Sequence, residues 1–560
     1  MQWELWGPRL PVLAVGAFAL ALLWRLPQLI EAISWNADAL APALIAERAA
    51  DASQGAEGVG ATVLGDISSA STLWFHLLTT SIPGHRTLWA YWPAVLALAT
   101  ALLIGWSCWR LAGRWAGLLG AGLVLAAGPD TLLTFLAPAF RGPTWLSTAL
   151  LGALLVLWCR RLDRPPSTSI LPAAMAALVV GVNLASDPLL ALSGVAPLVL
   201  APGLIWALDR TAPARRVTLL AAGTAAGAGV VALASSGLLK AGGYVTRREE
   251  FGGGYTRLAD PQDVLEHVPL VGKGLLALAG APEMGGQVQG PAAIRWVIAA
   301  VLLGGLAAAL WPSRGPTGVV EAPPVIATAR RIYGAFWGIG AAAVSAGYLL
   351  SDIPGAGVVV NVPGTRYLVP LLLAAVAVLP VVLYSTDAGA RRRTGAGIAA
   401  MAIAAGGALG LANRDIERAQ LTELSAEAPR IAEWLEEKGV DRGYASYWSA
   451  GPLSYHTDLQ VLAVRPCVSF TRETLCPVAL NGRRDWYRPV GELSSFVVVD
   501  AVRPGDAVTP GAWRGNFGRP AETRRFGSMV VRVYPYDLAE RLAPGWRPYP
   551  DARVASRETG

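Results

Sequence analysis

Eleven stretches of this chain are apolar over windows of about 19 residues, long enough to cross a bilayer. A bilayer accepts only backbones that satisfy their own hydrogen bonds, so a chain carrying such runs folds as a bundle of membrane-spanning helices. The runs lie at 9–29, 88–108, 112–129, 143–159, 170–186, 189–208, 217–238, 294–312, 332–350, 367–384 and 395–412. Only 15% of the residues are charged, against about 25% in a soluble domain. That excludes a disordered chain and an ordinary soluble enzyme. Arg9 before an apolar stretch and Ala37-Asp38-Ala39 together imitate a signal peptide with its cleavage site. Ten further spans follow, so an uncleaved first helix is expected.

Arginine placement sets the expected orientation. The net charge of +7 rests on arginine, since Lys240, Lys273 and Lys438 are the only lysines. One set of alternate loops holds Arg110 and Arg114, then Arg160, Arg161 and Arg164, then Arg210, Arg215 and Arg216. Arg314, Arg330, Arg331 and Arg391–Arg393 continue the series. The short loops near Arg141, Asp187 and Arg366 hold one basic residue or none. The positive-inside rule puts the arginine-rich loops and the amino terminus in the cytoplasm of a multi-pass plasma-membrane protein. It also leaves the arginines to topology rather than to nucleic acid, and no nucleic-acid partner is expected.

Three long segments then face outward: 31–87, 240–293 and 413–560. The expected organisation is a transmembrane domain over 1–412 and an extracytoplasmic α/β domain over 413–560. Leu421, Leu424, Ala428, Ile431 and Leu435 recur at helical spacing before Gly439, a fitting stop. Leu459–Val464, Ser495–Val499 and Met529–Tyr534 read as strands. Cys467 and Cys476 share this exported domain and are expected to form a disulfide, whereas Cys108 and Cys159 at cytoplasmic helix ends should stay free thiols.

Ionisable groups at the outer surface are functional candidates, because burying them is costly. Asp38, just past the first span, either faces a cavity as base or metal ligand or caps the helix that follows. In that helix Leu40, Leu44, Ile45 and Ala49 oppose Glu47, Arg48 and Asp51, so it should lie flat on the membrane. His85 and Arg86 precede the second span and are expected beside Asp38, binding phosphate or anchoring the interface. Asp66, Asp130 and Asp187 are candidate second acids; Asp130 and Asp187 also suit helix caps. Arg366, in Pro363-Gly364-Thr365-Arg366-Tyr367-Leu368-Val369-Pro370, runs against the charge pattern. Its planar fork suits a phosphate, with Tyr367 beside it, or else a surface salt bridge. Tyr447, Trp448 and Trp486 either stack on a glycan or form the tail's core. Within 240–293, Gly252-Gly253-Gly254-Tyr255, His267 and Glu283 suggest a mobile segment over the site or a linker folded onto the tail. No nucleotide-binding loop, zinc-protease motif or nucleophile elbow is present in the sequence. No row of charges runs through the spans as in many ion-coupled pumps.

The long first outer loop with Trp35-Asn36-Ala37-Asp38-Ala39, the count of spans, Arg366-Tyr367-Leu368-Val369-Pro370 and the tail's Gly443-Tyr444-Ala445-Ser446-Tyr447-Trp448 together resemble the GT-C superfamily of polytopic glycosyltransferases. The likeness covers nearly the whole chain and lies in the order and sidedness of short motifs. It departs in two places. Asp38 stands without an adjacent acid, and no Asp-x-Asp marks the second outer loop, where Asp130 is the nearest acid. The resemblance implies a polyprenyl-phosphate sugar as donor and an envelope glycan, lipid or protein as acceptor. It implies Asp38 as general base in an inverting transfer, with Arg366, Tyr367, His85 and Arg86 around the leaving phosphate. A divalent cation, magnesium or manganese, remains an optional cofactor. The competing expectations are a non-catalytic glycan-binding scaffold and a transporter or flippase of lipid-linked glycans.

Overall fold

The structure is a computed structural model that describes residues 10–35, 37–52, 62–64, 69–125, 129–136, 141–165, 167–246, 258–278, 304, 324–353, 364, 366–385, 423–466, 475–478, 481–491, 493–500 and 510–542. The helices are α1 (Leu10–Ile33), α2 (Ala37–Ala52), α3 (Ser69–Thr79), α4 (His85–Ala112), α5 (Arg114–Leu125), α6 (Pro129–Leu136), α7 (Gly142–Arg160), α8 (Ser167–Leu184), α9 (Ala196–Asp209), α10 (Ala212–Ala241), α11 (Pro261–Leu278), α12 (Pro324–Leu349), α13 (Val369–Ser385), α14 (Glu423–Glu437), α15 (Tyr447–His456) and α16 (Pro510–Phe517). The strands are β1 (Thr62–Leu64), β2 (Tyr244–Thr246), β3 (Arg442–Ala445), β4 (Gln460–Pro466), β5 (Leu475–Pro477), β6 (Gly482–Arg483), β7 (Ser495–Asp500), β8 (Glu522–Phe526) and β9 (Met529–Tyr534).

Nine of the expected spans coincide with described helices; 395–412, and 294–312 apart from residue 304, lie outside the described residues. Among the described residues, seven helices are long and apolar enough to cross a membrane. The chain is a mostly helical, multi-pass membrane protein with a carboxy-terminal sheet region. α7 and α13 are largely enclosed by their neighbours, which explains why they are apolar on every side. Trp145 and Trp158 of α7 and Phe336 and Trp337 of α12 share one buried core with Leu371–Ala374 of α13.

Helices in a bilayer gain little from apolar burial against one another, so close backbone approach at small residues matters. A β-carbon added at Gly117 would lie 2.6 Å from Trp109 Cβ and 2.8 Å from the Gly105 carbonyl, locking α4 to α5. One added at Gly181 would sit 2.5 Å from Val231 Cβ, which ties α8 to α10 in the same way.

The arginine-rich loops meet at one end of this bundle. Arg160 donates to the Arg110 carbonyl at 2.7 Å, and Arg330 donates to the Leu111 carbonyl at 2.9 Å. Arg216 reaches the carbonyls of Leu162 and Arg164, and Arg331 pairs with Asp209. Cations on free helix-end carbonyls are favourable, because those carbonyls carry the negative pole of the helix. At the opposite end the three long segments are stitched together. β1, from the first loop, pairs in parallel with β2 of the second and antiparallel with β6 of the tail.

The tail is a six-stranded sheet in the order β5-β4-β3-β7-β9-β8. β3 is parallel to both β4 and β7, and the outer pairs are antiparallel. α14 covers one face through Leu424, Ala428, Ile431 and Leu435, packed against Phe496, Val498 and Val531. α16 covers the other through Trp513 and Phe517, against Tyr444, Val497 and Tyr534. Arg442, buried at the start of β3, pairs with Asp537 at 3.3 Å and donates to the carbonyls of Trp486 and Arg488. That arrangement holds the 484–490 segment on the domain.

Candidate functional site

The helix that follows the first span does not lie flat with a free polar face. In α2, Leu40, Ala43, Ile45 and Ala46 join Leu73, Trp89, Leu239 and Tyr455 in one apolar cluster, so the helix is wedged between the bundle and the tail. Its polar side is covered as well. Arg48 donates to Ser454 Oγ at 3.3 Å and stacks over Trp486, 4.6 Å from the ring centre. The amphipathic pattern is compatible with either surroundings, and protein rather than membrane fills both sides.

Asp38 is the second residue of α2, inside the helix rather than at the position before it; its side chain lies outside the described residues. The start of α2 abuts the tail: Ala37 packs with Tyr447 and Val478, and a β-carbon on Gly451 would be 3.5 Å from Ala37. Just before it, Trp35 stacks on His456 with ring centres 4.0 Å apart and planes 9° from parallel. His456 Nε2 lies 2.9 Å from the Ser34 carbonyl, and burial pulls this imidazole's pKa below its ordinary value. Asp38 therefore sits at the seam where the bundle meets the tail.

His85 and Arg86 are not beside Asp38. They close on Glu47, nine residues further along α2, about 14 Å down a helix axis. Arg86 Nε donates to Glu47 Oε1 at 2.7 Å and Nη2 to Oε2 at 3.2 Å, the two-pronged geometry that suits a carboxylate. His85 Nε2 lies 3.3 Å from the same carboxylate. Arg86 also reaches the Tyr455 carbonyl, and the Tyr455 hydroxyl donates back to the Arg86 carbonyl. Beneath them His76 is buried against Trp89, its Nδ1 2.7 Å from the Thr72 carbonyl, and burial lowers its pKa to about 4. A cavity of about 20 Å³, room for one water, lies among Ser34, His76, Trp89 and Tyr455.

A second polar cluster occupies the same end of the bundle. Asp187 is fully buried and paired with Arg141, itself 3% exposed. Oδ2 accepts from the Thr144 hydroxyl at 2.5 Å, and Oδ1, the oxygen that meets Arg141, also accepts from the Leu189 amide at 3.1 Å. Asn183 extends the network to Thr144, Ser147 and Ser71. Asp187 is thus a committed ion-pair partner rather than a free acid, and its bond to the Leu189 amide also caps the start of the helix that follows. Arg141 also lies over the ring of Tyr367, 4.3 Å from its centre, and Arg366 stands 5.6 Å from the same ring. Two guanidiniums therefore share one tyrosine in the turn that opens α13. α11, from the second long loop, packs over this turn, with His267 Nδ1 2.9 Å from the Leu349 carbonyl.

Tyr447 is buried and its hydroxyl accepts from Asn481, and Trp486 lies under Arg48. Trp448, 40% exposed, is the one of the three expected glycan-stacking rings that is open to solvent. Cys476 is disulfide-bonded and Cys108 and Cys159 are free. Cys467, Asp66, Gly252–Tyr255 and Glu283 lie outside the described residues, as does the side chain of Asp130 at the start of α6. Among the described residues no three His, Cys, Asp or Glu side chains converge as a metal-binding set.

From the sequence alone Glu47 is a water-facing residue of an amphipathic helix, and Arg141 is not among the candidates. Arg141 carried a signal, as a lone arginine in a short loop on the arginine-poor side. Glu47 carried none, because only the tertiary fold brings Arg86 to it.

No protein-family model and no curated protein matches the chain. Two solved structures of ArnT from Cupriavidus metallidurans do resemble it. The apo form has 14% identity and a TM-score of 0.52, over 95% of this chain and 100% of that one. The form bound to undecaprenyl phosphate has 12% identity and a TM-score of 0.52, over 95% of this chain and 99% of that one. At that identity the likeness is one of fold, and it runs from the helical bundle through the carboxy-terminal sheet region.

Proposed function

We propose that the chain is a membrane glycosyltransferase that moves a sugar from a polyprenyl-phosphate donor to an envelope acceptor, with inversion. The observation that carries this reading is the fold match over 95% of the chain to a protein whose structure holds undecaprenyl phosphate. In this reading residues 1–412 form the transmembrane domain and 413–560 an extracytoplasmic one. The amino terminus is cytoplasmic in the plasma membrane. The convergence of the arginine loops at one end and of the three long segments at the other supports that sidedness.

The donor's lipid would lie between helices with its phosphate at the turn before α13. There Arg366 and Arg141, both over Tyr367, would offset the charge that grows on the leaving phosphate. Asp38 would take the proton from the acceptor hydroxyl as its oxygen attacks the anomeric carbon. The bond from that carbon to the phosphate oxygen breaks, and polyprenyl phosphate departs. His85 and Arg86 would hold Glu47 and the wedge helix in place rather than bind phosphate. Trp448, near the start of α15, is the ring open to a glycan.

The test uses purified protein in nanodiscs. Mass spectrometry should find a polyprenyl phosphate or its sugar ester co-purifying, and the identified sugar ester should be turned over with an envelope acceptor. Asp38→Asn should lower turnover by about 10²-fold or more while lipid retention is unchanged. The commitment of Glu47 and Asp187 to arginines favours a second reading, a GT-C-like scaffold that binds glycans without transfer. Lipid retention with no turnover in the intact protein would select it.

A further inference from the structure

We infer that the tail domain carries a binding site for a phosphate-bearing ligand, separate from the seam around Asp38. The site is a cavity of about 640 Å³ where the last turn of α16 meets the edge of the sheet. Arg514, Arg519 and Arg532 line it, with Glu522, Thr523 and Pro520. Glu522 is drawn toward Lys438 at 2.7 Å, which leaves the three guanidiniums as the dominant charge of the cavity.

Arg532 is the informative residue. It lies on β9, opposite Val497 on one side and Thr523 on the other, on the face that α16 covers. It is 9% exposed, and its guanidinium interacts with the neighbouring Tyr534 hydroxyl, a neutral group, while Nη1 meets no well-aligned acceptor. A buried guanidinium whose charge faces only a neutral hydroxyl is costly, and nothing in the packing of an α/β domain requires an arginine at this register. An oxyanion entering the cavity would supply the opposite charge that the Tyr534 hydroxyl does not. Arg514 and Arg519 stand at the rim, exposed, where they would complete the fork-shaped contacts that arginines make with phosphate. The turn between α16 and β8 is suited to close approach: Gly518, at φ +69°, ends the helix in the left-handed region and has no side chain.

The size of the cavity falls in the range of small-molecule sites, about 300–1,000 Å³. It has room for more than the phosphate alone, so the phosphate is attached to a further group. That group is either a soluble saccharide or a lipid headgroup reaching the domain from the bilayer. Nothing in this site depends on the chain being a transferase.

The experiment is calorimetric titration of the full-length protein in zwitterionic nanodiscs with glucose 1-phosphate, and with glucose as the uncharged control. Saturable binding of glucose 1-phosphate below about 10 mM, absent for glucose, is expected. Arg519→Ala and Arg514→Ala, both at exposed positions, should each weaken it by about tenfold, as should Arg532→Gln if that protein folds. The titration is repeated in phosphatidylglycerol nanodiscs. Weaker binding there identifies a lipid headgroup as the competing natural source, and unchanged binding identifies a soluble ligand; both support the site. No saturable binding, or binding that survives Arg514→Ala/Arg519→Ala, overturns it.

Discussion

Asp187 and Arg141 illustrate how a single residue can be legible as unusual without its role being legible. Asp187 is a candidate acid in the sequence and Arg141 a lone arginine in a short loop, but 46 positions separate them, and only the packing of α7 against the α8–α9 turn joins them. Removing one partner leaves a buried charge. Asp187→Ala should therefore lose about 3–5 kcal/mol of stability, measured as a fall in unfolding temperature in detergent. Arg141→Met/Asp187→Leu should recover most of that stability. It should not recover turnover, because the guanidinium over Tyr367 would be gone. Recovery of both would remove Arg141 from the proposed phosphate site. His76 gives a pH prediction. Its folded pKa of about 4 lies below the ordinary 6.5 because burial disfavours the charged ring. As pH falls from 6.5 toward 4, the unfolded chain takes up a proton that the native chain does not. Stability is therefore full above 6.5, declines through that window and is lost by about 3 kcal/mol below it. His76→Gln should flatten the fall in unfolding temperature between those two pH values.

Elements were more legible than residues, for a physical reason. A span announces itself through the sum of some twenty side-chain transfer energies, and a strand through alternation over a handful of residues. The boundaries of β9 and the apolar stripe of α14 follow directly from such patterns. β3 does not: Arg442–Ala445 opens with a buried arginine and carries a glycine against the Phe496 ring, so no β-branched run marks it. The three-residue strands β1 and β2 were likewise invisible, because the partners of Thr62 in β1 lie 182 and 421 positions further along the chain. β1 is central in that small sheet, so its amides are engaged from both sides. Val63→Pro removes one donor and fixes a dihedral angle poorly suited to a central strand. Hydrogen exchange should then rise at 244–246 and 482–483 together, with no change at β7 and β9. A rise confined to residues 62–64 would mean the three segments are not mechanically joined.

At the scale of the whole molecule, the fold was readable from the order of spans, long segments and tail, because each is a bulk property of many residues. The seam was not, because it is made by α2 and α15 meeting across more than 400 positions. What remains to be set against experiment is sidedness. The arginine-rich loops bond to one another's helix ends, and the β1–β2–β6 sheet joins the long segments at the other end of the bundle, so the proposed topology puts the two groups on opposite faces of the membrane. Single cysteines can report this against a quiet background, since Cys108 and Cys159 are buried and Cys476 is disulfide-bonded. Leu258→Cys, in the second long segment, and Leu493→Cys, in the tail, replace exposed side chains, 84% and 46% accessible. Arg164→Cys probes the exposed α7–α8 turn. A membrane-impermeant maleimide added to intact cells should label the first two and spare the third until the membrane is opened. Labelling of Leu258→Cys without Leu493→Cys would separate the second segment from the tail and break the sheet's claim to join them. Labelling of Arg164→Cys alone would turn the molecule over. The proposed site would then face the cytoplasm, where nucleotide sugars are available, and the case for a lipid-linked donor would have to rest on the fold without its topology.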